Sequence, residues 1–263
     1  MDEIKFLILG VIQGLTEFLP ISSSGHIELF KAFFNINYFG NYGLVVTIIL
    51  HSATALSTLL VFREDIILLL KKFFQTNFNS SHDFFLKIII SMIPASIVGL
   101  LFEKEIESLF NSNVLLTGIM LTMTGFFLYF SNKIKLNTKE VSYKHAVLIG
   151  LIQAFAILPG ISRSGSTIVM ALFLGISKKN SSKFSFLMVI PLIFGALLKN
   201  IIESNQSINI ELNFALLVGF LSSLITGIIA CKWMIKLVEK SKLQYFGIYC
   251  FIIGIISILY EVV

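Results

Sequence analysis

The stretch "TEFLPISSSGHIEL" (residues 16–29) places a carboxylate, three consecutive serines, a glycine and a histidine between two apolar arms, "IKFLILGVIQGL" (residues 4–15) and "FKAFF" (residues 30–34). Polar groups of this density are foreign to the interior of a bilayer. Each arm is shorter than the roughly 17–25 residues that a helix needs to cross a hydrocarbon core. The stretch therefore reads as the turn of a re-entrant helix hairpin, which dips into a membrane and returns.

The rest of the chain supplies the membrane. Its 263 residues are 56% hydrophobic and 13% charged, with a mean hydropathy of +0.89, whereas a soluble domain carries about a quarter charged residues. Apolar runs cover Tyr42–Phe62, Phe84–Phe102, Val114–Phe130, Phe184–Ile202, Phe214–Cys231 and Tyr245–Tyr260. Short loops between them leave no room for a soluble domain. The start, "MDEIKFLILG", lacks a basic n-region and a small-residue cleavage site, so the first hydrophobic segment is expected to be kept. Cys231 and Cys250 fall in or beside apolar runs and read as free packed thiols. A net charge of +5 sits on lysines in loops beside apolar helices. That placement fits anionic lipid and topology rather than nucleic acid.

Displacing the sequence by 140 residues lays "GVIQGLTEFLPISSSGH" (residues 10–26) over "GLIQAFAILPGISRSGS" (residues 150–166). Gln13 meets Gln153, Ser22 meets Ser162, Ser24 meets Ser164 and Gly25 meets Gly165. The expected fold is therefore an all-α polytopic membrane protein of two inverted repeats, each a re-entrant helix hairpin plus three transmembrane helices. The first repeat is 1–135, with a hairpin at about 4–34 and spans at about 42–62, 84–102 and 114–130. The second is 136–263, with a hairpin at about 146–175 and spans at about 184–202, 214–231 and 245–260. Three crossings after each hairpin invert the second half, and such repeats bring their broken helices together near the midplane.

Charge tests this topology independently. The loops 63–83, 131–145, 176–183 and 232–244, with their flanks, put 15 basic residues on one side, against Lys5, Lys31, Lys104 and Lys199 on the other. By the positive-inside rule the rich side is cytoplasmic. The first hairpin then enters from outside, where the N-terminus also lies, and the second enters from the cytoplasm.

An intramembrane charge is costly and marks a functional site by default. Glu17 and Arg163 are the clear cases. Gln13 and Glu17, four residues apart, share one helix face; Pro20 ends that helix, and the Ser/Gly turn offers hydroxyls and amides to an anion. His26 follows within a turn. Under the 140-residue offset Ser23 and Arg163 are equivalent positions, which an inverted-repeat axis would bring together. A phosphate suits this set best: guanidinium binds its oxygens bidentately, and histidine moves protons near neutral pH. In a membrane, that indicates a phosphorylated lipid.

Blander readings exist. Ser/Gly clusters also let membrane helices pack closely, and a lone arginine can snorkel; the occurrence of complementary groups in both copies weighs against them. A carrier or flippase for phosphorylated polyprenyl lipid is the competing class, because broken helices in inverted repeats mark transporters. A Ser/His esterase would leave Arg163 idle. His51, in "IILHSATAL" (residues 48–56), reads as a hydrogen-bonded structural histidine. His82 and His145 read as solvated loop residues, Glu103, Glu105 and Glu107 as a solvated face, and Trp233 as lipid-facing or interfacial.

"QGLTE" (Gln13–Glu17), "EFLPISSSGH" (Glu17–His26) and "PGISRSGST" (Pro159–Thr167) resemble the signature motifs of the undecaprenyl-diphosphatase family, also called the bacitracin-resistance family; "LHSATALSTLLVFR" (residues 50–63) looks like its third helix. The resemblance extends over the whole chain. It implies a bacterial cell (inner) membrane enzyme that removes the terminal phosphate of undecaprenyl diphosphate at a site open to the outer face, thereby recycling the carrier lipid of cell-wall synthesis. It further implies a divalent cation, Mg²⁺ or Ca²⁺, with Glu17 as its protein ligand. By motif position, Glu17, Ser23, His26 and Arg163 form the catalytic core. Gln13, Ser22, Ser24, Gly25, Ser162, Ser164, Gly165 and Thr167 line the substrate phosphates. Gln13 stands where other members have glutamate, so a cation here leans on Glu17 and the diphosphate. Ser23 is expected to attack with His26 as its base and Glu17 orienting the histidine, or His26 and Glu17 activate water directly. The polyprenyl diphosphate and the membrane are the expected partners, and a homodimer is a further option that the sequence leaves open.

Overall fold

A computed structural model describes residues 2–33, 43–75, 77–110, 113–131, 139–203, 214–240 and 242–262. These fold into twelve helices: α1 Asp2–Phe18, α2 Ser23–Phe33, α3 Gly43–Val61, α4 Arg63–Phe73, α5 Ser80–Leu101, α6 Glu103–Leu109, α7 Val114–Phe130, α8 Tyr143–Phe155, α9 Arg163–Phe173, α10 Lys178–Glu203, α11 Phe214–Glu239 and α12 Leu243–Val262. Among the described residues the one β feature is an isolated parallel bridge between Lys139 and Ile176. Three helices, α5, α11 and α12, are long and apolar enough to cross a membrane unaided, and Val46–Val61 of α3 is a shorter apolar stretch. The chain is a multi-pass helical membrane protein.

Large side chains such as Phe184, Phe186 and Met188 fill the core, but a helix at the lipid face is packed inside out relative to a soluble bundle. Along α11, Leu217, Leu221, Ile225, Ile229 and Trp233 recur every four residues and are exposed, whereas Ala215, Gly219, Ser222, Ser223, Gly227, Ala230 and Cys231 are buried. Large apolar side chains gain nothing by leaving lipid, so small residues take the interior and let backbones approach. The crossing of α7 and α12 shows how closely. A Cβ on Gly118 would lie 2.9 Å from the Gly254 carbonyl oxygen, and one on Gly125 2.9 Å from that of Gly247. Any other residue at these four positions forces the helices apart.

Partners are exchanged along the chain. α1 lies along α11, α8 lies along α5, and α7 packs on α12, while α3 sits between α10 and α11. Hydroxyls join the helices where glycines bring them close: Ser57 donates to Leu224 O at 2.9 Å and Ser223 to Leu50 O at 3.2 Å. Both cysteines are free and buried.

Several expected loops and ends differ. Residues 63–83 hold an amphipathic helix, α4, with Glu64 and Asp65 in its first turn and Lys71 and Lys72 in its last, the polarity a helix dipole favours. A search for apolar runs passes over such a helix. α10 starts before its apolar run and α11 continues beyond its own, to Glu239, where Lys178 donates to the last carbonyl at 2.9 Å. His82 and His145 are not merely solvated: each is the third residue of a capping box, accepting at Nδ1 from the amide of Asn79 and Ser142 respectively, both at 3.3 Å. The repeat boundary at 135/136, the hairpin end at Phe34, the span start at Tyr42, Lys133 and Lys135 lie outside the described residues.

Candidate active site

The site forms where the turn between α1 and α2 meets the turn between α8 and α9. The two turns are built alike. Ser22 Oγ accepts from Gly25 N at 3.2 Å and lies 3.3 Å from Ser24 Oγ; Ser162 Oγ accepts from Gly165 N at 3.1 Å and lies 3.4 Å from Ser164 Oγ. Each serine satisfies an amide that the start of the following helix leaves without a partner. The turns also touch reciprocally: a Cβ on Gly25 would meet Gly160 Cα at 3.0 Å, and one on Gly165 would meet Pro20 Cβ at 3.0 Å. Both glycines are there because the other turn's backbone is. Ser22 has φ of 71°, a left-handed conformation that costs a side-chain-bearing residue about 1–2 kcal/mol and turns the chain sharply into α2. Thr124 of α7 braces the second turn, donating to Gly160 O at 2.9 Å and accepting from Ser162 N at 3.1 Å.

Glu17, at the end of α1, is the hub. Its Oε1 accepts from Arg163 Nη2 at 2.5 Å; its Oε2 accepts from Ser23 Oγ at 2.8 Å and from Gln13 Nε2 at 3.2 Å. Side-chain exposure is 9% for Glu17 and 17% for Arg163. A pair this enclosed survives because each charge has a partner and further hydrogen bonds. Two polar atoms here have no hydrogen-bond partner among the described residues although they are buried: Arg163 Nη1 and Gln13 Oε1. Such orphans are costly, and at a site they mark where a ligand completes the network.

The structure thus unites Gln13, Glu17, Ser23 and Arg163. Ser162, Ser164 and Gly165 shape the second turn, and Ser164 Oγ donates to Leu19 O of the first at 3.5 Å. Thr167 lies deeper, its hydroxyl on Arg163 O at 2.8 Å and on Ser185 Oγ at 2.7 Å, where it supports the helix carrying Arg163. His26 is not joined to Ser23 or Glu17. Its Nδ1 is 2.8 Å from Ser22 O, one turn back, and its Nε2 is 2.9 Å from Tyr249 OH. The carbonyl can only accept, so Nδ1 carries the proton and Nε2 accepts from tyrosine. His51, read from sequence as structural, binds Thr47 O through Nδ1 at 2.9 Å yet brings Nε2 to 4.0 Å from Glu17 Oε2. Nothing in the spacing of His51 or Tyr249 signals these positions, because they come from α3 and α12.

An apolar groove of about 770 Å³ runs past the first turn, lined on one side by Val11, Leu15 and Leu29 and on the other by Phe246 and Ile253. His26 and Tyr249, their rings nearly parallel, stand together in its wall.

Among the described residues no three His, Cys, Asp or Glu side chains come together. A hard cation accepts carboxylate and amide oxygens, and Gln13 Oε1 beside Glu17 supplies one of each, with the substrate's own oxygens needed to complete the shell. On those terms the residues fit a cation that arrives with a phosphorylated ligand.

Fold and site together define a multi-pass membrane protein whose buried acid, hydroxyl and guanidinium converge at the contact of two broken helices. Residues 6–256 match the family model described as bacitracin resistance protein BacA, and the chain belongs to that family. It is 48% identical over 261 residues to an undecaprenyl-diphosphatase of Christiangramia forsetii, covering 99% of this chain and 98% of that one. It is also 45% identical to one of Bacteroides fragilis (98% of each chain) and 39% identical to one of Methanococcus vannielii (97% and 98%).

Proposed function

We propose that this chain is an undecaprenyl-diphosphatase, which hydrolyses undecaprenyl diphosphate to undecaprenyl phosphate and inorganic phosphate. It thereby recycles the carrier lipid of cell-wall synthesis and confers bacitracin resistance. The observation that carries this reading is the orphaned Arg163 Nη1 beside the Ser23–Glu17 hydrogen bond; His26, three residues beyond Ser23, lines a groove greasy enough for a polyprenyl tail. The relatives' shared name agrees with it.

Arg163 holds the terminal phosphate through Nη1 while Nη2 stays on Glu17, and stabilises the charge that develops in transfer. Ser23 Oγ attacks phosphorus and its proton passes to Glu17 Oε2. The anhydride P–O bond breaks, and the lipid monophosphate leaves with the bonding pair. Water then displaces Ser23 from the phosphoserine. Glu17 takes the role of base that the sequence assigned to His26, because Ser23 already donates to it. Glu17 and Gln13 would hold a divalent cation, which when bound offsets the diphosphate's negative charge.

The architecture belongs to the same proposal. Two inverted repeats, each a re-entrant hairpin and three crossings, lie in the bacterial cell membrane with the site open to the outer face and the N-terminus outside. The reciprocal packing of α1 on α11 and α8 on α5, and the matching bonds of the two turns, support this reading. Phosphate release from undecaprenyl diphosphate by purified protein in detergent tests the function, since transport has no meaning there. An inactive protein that instead moves the lipid across vesicles would reverse it.

A further inference from the structure

The phosphatase reading uses Ser23, Glu17 and Arg163 and leaves Tyr249 unassigned. Three observations single it out. Its hydroxyl lies 2.9 Å from His26 Nε2, with the two ring planes 9° apart. Nδ1 of that histidine is fixed on Ser22 O at 2.8 Å, so the tyrosine O–H must point at Nε2. The pair stands in the wall of a mostly apolar groove, between Ile21 and Leu29 on one side and Phe246 and Ile253 on the other, and the hydroxyl of Thr16 in the same wall is already bonded to Ile12 O at 2.6 Å. A tyrosine hydroxyl whose hydrogen bond is to a histidine in the wall of a lipid-sized groove is an unusual expense unless a polar group of the ligand visits it.

Position says which group. His26 is three residues beyond Ser23 on α2, so the two share a helix face and their Cβ atoms are about 5–6 Å apart. Side chains that reach out from one helix face at that spacing can contact the two linked phosphoryl groups of a single diphosphate. A lipid diphosphate with its terminal phosphate at Ser23 and Arg163 and its tail in the groove carries its inner phosphate past His26. Resting on the phosphatase reading, we propose that Tyr249 and His26 form a second phosphate subsite, which binds the lipid-proximal phosphate of the substrate and hence the monophosphate product. On binding, the Tyr249 O–H turns from Nε2 to a non-bridging oxygen of that phosphate, and Nε2, which then takes a proton from water, donates to a second; apart from that proton no covalent bond changes. The site thereby has two separable anion positions, one for the group transferred and one for the group left on the lipid.

Product inhibition distinguishes them. In purified wild type, Tyr249→Phe and Arg163→Lys, phosphate release from a polyprenyl diphosphate is inhibited with polyprenyl monophosphate or with inorganic phosphate. Loss of one hydrogen bond to a charged oxygen weakens binding by about 10-fold or more. Tyr249→Phe is expected to raise the inhibition constant of the lipid monophosphate by that factor and to leave that of inorganic phosphate within twofold. Arg163→Lys is expected to do the opposite, on whatever activity remains. An unchanged lipid-monophosphate constant in Tyr249→Phe, or an equal shift for both inhibitors, overturns the subsite while leaving the phosphatase reading standing. Absence of phosphate release by the wild type overturns both. A melting temperature for Tyr249→Phe equal to wild type excludes misfolding as the cause.

Discussion

Glu17 has two oxygens and three donors, and the chemistry depends on how they are shared. Arg163 takes one oxygen, Ser23 and Gln13 the other, so the carboxylate holds its hydroxyl and its guanidinium in fixed relation before substrate arrives. Glu17→Gln keeps the shape but removes the base and the ion pair; kcat should fall by about 10²–10⁴-fold, the usual range for a positioned base. Ser23→Ala should fall at least as far, and mixing wild type with labelled substrate and acid should trap phosphoserine at Ser23. Near-normal turnover in Ser23→Ala would show that water attacks directly. The meeting of Glu17, Ser23 and Arg163 was legible in the sequence, because a charge inside an apolar segment needs a partner and the 140-residue offset makes Ser23 and Arg163 equivalent positions. The pairing of His26 was not legible. A histidine three residues from a serine can face it, and only the Ser22 carbonyl and the hydroxyl of Tyr249, 223 residues away, decide that it does not.

Elements are held by close backbone approach at glycines as well as by a core of large side chains such as Phe184, Phe186 and Met188. α7 and α12 meet through Gly118, Gly125, Gly247 and Gly254, and α7 in turn braces the second turn through Thr124. A leucine at Gly254 would meet Thr122 Oγ1 and the Gly118 carbonyl, within 2.5 and 2.7 Å of its Cβ. Overpacking of that kind costs about 1–3 kcal/mol, and Gly254→Leu should lower the melting temperature in detergent by several degrees; an unchanged melt would mean that the crossing is looser than described. The helices with sustained apolar runs were readable from hydropathy. α4 was not, because its Glu64–Asp65 and Lys71–Lys72 ends and its exposed face look like a loop to a search for grease.

At the scale of the molecule, one internal match of 17 residues carried the whole architectural expectation. The match was visible because both copies need the same serine–glycine turn to end one helix and start the next. The pairing of helices far apart in the chain, α1 with α11 and α7 with α12, was not visible, since it follows from glycine and serine faces that no pairwise spacing marks. The proposed topology makes a prediction of its own. In a background with Cys231 and Cys250 replaced by alanine, a single cysteine at Glu105 should react with an impermeant maleimide on intact cells, and one at Lys240 only after permeabilisation. Labelling of both from the outside, or the reverse pattern, would refute the assigned orientation.

Whether two broken helices form one phosphatase site is tested most directly by phosphate release from undecaprenyl diphosphate in detergent, comparing wild type with Arg163→Ala. The orphaned guanidinium donor predicts rapid release by wild type and a loss of about 10²–10³-fold or more without it. Wild-type turnover in Arg163→Ala would contradict the assignment of that residue to the transferred phosphate, and with it the joint site of the two turns.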